Sequence, residues 1–219
     1  MFHLDRGEHA RVLELYDHEI RKDKTDDYRD ISNAASLLMR LEFEGVDVGE
    51  RWDEIAGLSS ARADDGCVVF ADLHYMLALG GGDRDDAMAR LLGAMQARAE
   101  RRLGCMDRVA ADVGLSAGEG LRAFSAGDYA GAYARLSGVR GKMPEIGGSH
   151  AQRDVFERVT IEAALRAGLL NEALTTLQDR TRRRGALDRY AETRLARVQE
   201  LRALVAERPG AAIDPVAAA

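Results

Sequence analysis

Apolar and small residues return along this chain in a fixed frame. Ala78-Leu79, Ala123-Phe124 and Ala164-Leu165 each precede a glycine, at Gly82, Gly127 and Gly168, and a second alanine follows five residues later at Ala87, Ala132 and Ala173. Nine residues past the glycines an apolar residue comes back, as Leu91, Leu136 and Leu177, which is the spacing of one buried helical stripe. A weaker copy opens the chain, where Leu4, Gly7 and Tyr16 keep the frame but His3 and Val12 replace the alanines. The pattern predicts paired helices with the glycine between them, tolerating the left-handed conformation that ends the first helix. A single helical hairpin of this kind cannot bury its apolar face, so neighbouring copies must stack.

Five hairpins are predicted. The first joins the helix tail Met1–Arg6 to a helix from Glu8 to about Lys22, and the second runs from Tyr28 to Glu44, turns through Gly45–Gly49 and returns through Trp52, Ile55 and Leu58. The third comprises Cys67 to Leu79 and Arg84 to about Arg102. The fourth opens at Ser116-Ala117-Gly118-Glu119, which reads as a capping box, turns at Gly127-Asp128 and returns from Tyr129 to about Val139. Gly141–Gly148, with Pro144, is the clearest break. The fifth hairpin spans Ser149–Ala167 and Asn171–Arg184, and a closing helix runs from about Leu187 to Glu207. The expected fold is all-α, a right-handed α-solenoid of tetratricopeptide-like hairpins over residues 1–207 with a mobile tail at 208–219. Glycines at 7, 45, 82, 127 and 168 give a period of about 40 residues, longer than the standard tetratricopeptide unit of ~34.

Composition agrees: 46% hydrophobic, 31% charged and three prolines in 219 residues suit one largely helical soluble domain. With no run of roughly 20 apolar residues and no basic or apolar leader, a cytoplasmic home is expected. Cys67 and Cys105 stand apart from each other and from histidine, and read as reduced, packed thiols. Gly80-Gly81-Gly82 lacks the following Lys-Ser/Thr and the preceding strand of a phosphate loop. A net charge of −6 argues against nucleic acid. The C-terminal region is nevertheless arginine-rich, from Arg180 through Arg182, Arg183 and Arg184 to Arg202. Asp179, Asp188, Glu192 and Glu200 are interleaved and no aromatic ladder accompanies them, so a solvated outer face is expected.

Several segments resemble the tetratricopeptide repeat protein 38 family: Leu4-Asp5-Arg6-Gly7 with Leu15-Tyr16-Asp17, Asn33-Ala34-Ala35-Ser36-Leu37-Leu38, Gly45 through Trp52, Asp72-Leu73-His74, and above all Gly147-Gly148-Ser149-His150-Ala151-Gln152-Arg153-Asp154. The resemblance covers nearly all of the chain up to the closing helix. It implies a helical repeat fold and carries over no catalytic activity. Members of that family are longer, so the resemblance also implies that the chain matches their C-terminal half. Either the start is then truncated, or a short form covers its N-terminal edge by self-association, as a homodimer.

The candidate site residues are Asp72, His74, His150, Arg153 and Asp154. His150 and Asp154 are four apart and share a helix face, with Arg153 beside them. Asp72 and His74 lie on a first helix, the kind that lines the concave surface of such arrays. Converging, they would bind an anion through Arg153 or a divalent metal through imidazole and carboxylate. The same residues also suit packing: Ser149 as a helix cap, Asp154 near a helix N-terminus, Arg153 tying hairpins together. Tyr75 and Phe156 fit either groove or core, and His3, His9 and His18 read as solvated surface. The reading that follows is a scaffold that binds a protein segment or other ligand through its concave face, with no catalytic residue, metal or cofactor, and neither nucleic acid nor membrane as partner. The alternative is an enzyme or small-ligand site at Ser149–Asp154, with His150 as general base, Asp154 orienting it and Arg153 holding an anion. No nucleophile elbow accompanies it.

Overall fold

The computed structural model describes residues 2–66 and 68–207, and every regular element among them is helical. The predicted tail at 208–219 and the Cys67 thiol lie outside the described residues. Helices α1 (Phe2–Asp5) and α2 (His9–Leu15) meet at Gly7, and α2 passes into a π-helical turn, Tyr16–Ile20. Then come α3 (Tyr28–Phe43), α4 (Arg51–Ala61), α5 (Val69–Gly81) and α6 (Asp85–Arg101). Helix α7 (Cys105–Val109) continues through a π-turn, Ala110–Gly114, into α8 (Leu115–Ser125). After α9 (Tyr129–Val139) the expected break is a 3-10 helix, Arg140–Ile146, followed by α10 (His150–Arg166), α11 (Leu170–Arg184) and α12 (Arg189–Glu207).

The helices form where their stripes demand. In α3, Ile31, Ala34, Ala35, Leu38 and Leu41 fall on one face and are fully buried. Asp27 caps that helix, accepting from the Arg29 amide at 2.8 Å. Helix α5 is buried on every side and largely apolar, because α3, α4, α6 and α8 surround it. Consecutive pairs pack against each other, outer helices α4, α6 and α9 against inner helices α3, α5, α8 and α10.

Three local expectations are corrected. Ser116 caps nothing: the helix starts upstream at Gly104, where Asp107 accepts from the Leu103 amide at 3.0 Å, and the Ser116 hydroxyl donates to the Arg135 carbonyl at 3.2 Å. Gly127 and Gly168 have the expected positive φ, 79° and 72°, but Gly82 does not, and Asp83 takes the left-handed turn. Gly81 and Gly82 are small for another reason. A Cβ on Gly81 would overlap the Trp52 ring and one on Gly82 would overlap Ala56, so α4 lies directly on the end of α5. Third, Cys105 is an exposed free thiol rather than a packed one, since it stands in the first turn of α7 at the surface.

The array also closes on itself. Arg40 of α3 donates to the Ala151 carbonyl of α10 at 2.7 Å. From α12, Arg194 donates to the Phe43 carbonyl and to Glu162 at 2.6 Å, while Arg189 pairs with Glu44 at 3.4 Å and lies over Gly7. Helices α3, α5, α8 and α10 thus form an inner layer in which α10 returns to α3. Its centre is filled: Phe70, His74 and Phe156 stack there, with ring centroids 4.3 and 4.8 Å apart.

Candidate functional site

The Gly147–Asp154 block builds the entrance to α10. Gly147 and Gly148 have φ of 90° and 70°, and a Cβ on Gly148 would come within 2.5 Å of the Phe70 ring. Ser149 and Gln152 then form a reciprocal capping box: the Gln152 amide donates to Ser149 Oγ at 3.3 Å, and the Ser149 amide to Gln152 Oε1 at 2.9 Å. Arg153 folds back, its Nη1 donating to the carbonyls of Gly147, at 2.8 Å, and Gly148. Among the described residues it has no carboxylate partner. His150 is exposed, and among the described residues its side chain has no hydrogen-bond partner.

Asp154 turns inward. Its Oδ1 accepts from Arg180 Nε at 2.7 Å, and its Oδ2 from Arg158 Nε at 2.9 Å and Arg180 Nη2 at 3.1 Å, with Arg40 at 3.9 Å. Burial alone would raise this carboxyl's pKa. The hydrogen bonds from Arg180 and the charges of Arg158, Arg180 and Arg40 outweigh it and hold the group well below the usual carboxylate range. Neither oxygen is left to orient His150. Asp188 completes the network, accepting from Arg180 at 2.8 and 2.9 Å. The Tyr190 ring lies under the guanidiniums of Arg158, Arg194 and Arg180, at 4.3, 4.8 and 5.1 Å from its centroid. Arg180, expected on a solvated face, is therefore 1% exposed, because α11 turns this residue toward α10 and α12.

Asp72 and His74 do not join that cluster. Asp72 is buried and ion-paired with Arg98 of α6; burial raises its pKa and Arg98 opposes the rise. His74 is fully buried, with Nδ1 2.7 Å from the Phe70 carbonyl. Burial pushes its pKa down to about 4, against the opposing carbonyls of Phe70 and Gln152. Tyr75 and Phe156 are likewise core, each 2% exposed. Among the described residues no three His, Cys, Asp or Glu side chains are grouped to hold a metal, and no helix is long and apolar enough to cross a membrane.

The open space lies elsewhere, between α9, the 3-10 segment, α10 and α11. A cleft of about 690 Å³ is walled by Leu136, Met143, Pro144 and Phe156, with His150, Arg153, Asp154 and Thr160 contributed by α10 and Arg180, Arg183 and Arg184 by α11. A second depression of about 480 Å³, lined by Tyr133, Ser137, Thr175, Thr176, Asp179 and Arg182, adjoins it; both share Arg140, Gly141 and Arg183. Glu157 sits at the junction, accepting from Arg140 at 3.0 Å and from Arg183. Three of the five candidate residues are thus brought to one cleft and two are not. Arg140, Gly141 and Met143 were missed, since only a turn signal marks that segment. No protein-family model matches the chain, and no solved structure matches it either.

Proposed function

We propose that this chain is a non-catalytic binding module that takes an extended segment of a partner protein into the groove between α9, α10 and α11. The supporting observation is the pair of adjoining depressions, the larger one with apolar walls and both rimmed by polar groups, on elements tied together by the capping box and the Asp154 network. The groove reaches inward as far as Phe156, whose ring packs on His74 in the filled centre, while Asp72 lies apart on Arg98. The resemblance of the Gly147–Asp154 block to the tetratricopeptide repeat protein 38 family supports the repeat-module part of the reading. Catalysis is the weaker alternative: a general base needs an oriented imidazole, and both Asp154 oxygens are committed to arginines.

Gly141 offers a clean test. It lies in the wall of both depressions, and a Cβ there would meet nothing within 4 Å. Gly141→Trp is expected to fill the groove while leaving the melting temperature within a few degrees. Peptides that bind the unmodified chain, measured by fluorescence anisotropy, should lose at least about tenfold in affinity. Unchanged affinity for every bound peptide places the binding surface elsewhere and ends this reading.

A further inference from the structure

The groove has the opposite sign of charge from the protein that carries it. Six guanidiniums line its two depressions, those of Arg140, Arg153, Arg180, Arg182, Arg183 and Arg184, against three carboxylates, Asp154, Glu157 and Asp179. The whole chain carries −6. Asp154 is consumed inside by Arg158 and Arg180, and Arg184 leans on Asp188 at 3.2 Å. At the rim, Glu157 is shared by Arg140 and Arg183, and Asp179 by Arg140 and Arg182. Two carboxylates therefore serve three rim cations, and Arg153 has none: its Nη1 is held only by the carbonyls of Gly147 and Gly148. Carbonyl partners leave a guanidinium its full positive charge. Such an excess, beside walls of Leu136, Met143 and Phe156, selects a ligand with anionic groups and apolar groups together.

Resting on the groove reading above, we infer that the bound segment is acidic, with glutamates or aspartates alternating with apolar side chains. The apolar side chains enter the cleft beside Phe156, and the carboxylates meet Arg153, Arg182 and Arg183. Arg183 and Arg182 are well suited to exchange partners, since their side chains are 55% and 76% exposed. Arginine's planar fork matches a carboxylate with two parallel hydrogen bonds, which a lone ammonium does not. Surface ion pairs of the Arg182–Asp179 kind are worth little on their own, so exchanging them for a ligand carboxylate costs little. Two of the interleaved acids that make the arginine run look neutral in sequence, Asp179 and Asp188, are spent within the protein.

The test uses the full chain and two labelled peptides of equal length, one alternating glutamate with leucine and the other glutamine with leucine. The acidic peptide is expected to bind roughly tenfold or more tightly than its amide counterpart, with the preference shrinking as salt rises. Arg182→Gln/Arg183→Gln, at exposed positions where folding is kept, should remove most of that preference. Arg153→Gln should remove it too, with circular dichroism confirming the fold. Equal affinity for the two peptides overturns the acidic assignment while leaving the groove reading intact. Binding of neither peptide overturns both. A single-stranded oligonucleotide that binds more tightly than the acidic peptide and is lost in the double arginine variant also overturns it, in favour of a polyanion.

Discussion

His74 and Asp154 are both buried and both ionisable, and both make the fold sensitive to acid, in different pH windows. His74 is neutral in the folded protein, with its pKa near 4 against about 6.5 when unfolded. The unfolded chain therefore takes up the proton first, and stability present at pH 7 drains away as pH falls. The loss from this residue is about 2 kcal/mol at pH 5 and about 3 kcal/mol at pH 4. Asp154 keeps its charge in the folded protein throughout that window, because its pKa is depressed, and its own loss sets in at lower pH, where the unfolded carboxyl takes up a proton. Urea unfolding of His74→Phe at pH 7 and pH 5 should show a pH dependence smaller by that amount; an unaltered dependence means another group titrates. Asp154→Asn is a different injury. It strips Arg158 and Arg180, each 1% exposed, of their shared carboxylate, and should cost about 3–5 kcal/mol in chemical denaturation at pH 7. A loss below 1 kcal/mol means that Asp188 carries the cluster alone. Ser149 was legible in the sequence as a cap because its role is local. The depth of Arg180 was not, since an arginine run does not say which of its members faces the neighbouring helices.

At the scale of elements, the recurring glycine serves two purposes that look alike in sequence. At Gly127 and Gly168 it supplies a positive φ. At the end of α5 it supplies thinness, so that Trp52 of α4 lies flat on Gly81. Gly81→Ala needs no unusual backbone, yet its methyl group meets the indole, and a cost of about 1–3 kcal/mol is expected in thermal melts. If the variant is as stable as the parent, Trp52 is free to move. The hairpins were readable because an apolar stripe repeats within each helix. The helix from Cys105 to Ser125 was not, because its five-residue π-helical turn shifts the stripe partway and the serine at 116 imitates a start.

For the whole molecule the decisive contacts join residues far apart in sequence. Local periodicity predicts neighbours and is silent about closure, so the return of α10 and α12 to α3 left no trace in the pattern. An open array frays from its last repeat. Here α12 is anchored through Arg194 to Phe43 and Glu162 and through Tyr190 to Glu162 at 3.0 Å. Amide hydrogens of α12 around Val198 and Leu201 are expected to exchange nearly as slowly as those of α3, in one cooperative transition. Arg194→Ala should speed exchange in α12 first. Rapid exchange of α12 in the unmodified protein, with α3 still protected, would falsify the closure as a stabilising feature.

The anchor also sets an order in time. The carbonyl of Phe43 leaves the ribosome 151 residues ahead of the arginine that will cover it. At roughly 5–20 residues per second, that wait is on the order of 10 s. Throughout it, the face of α3 that later meets α10 and α12 stands bare on a chain still being made. Completion of this fold waits on α12, and the slower the synthesis, the longer the bare face of α3 needs shelter until that helix arrives.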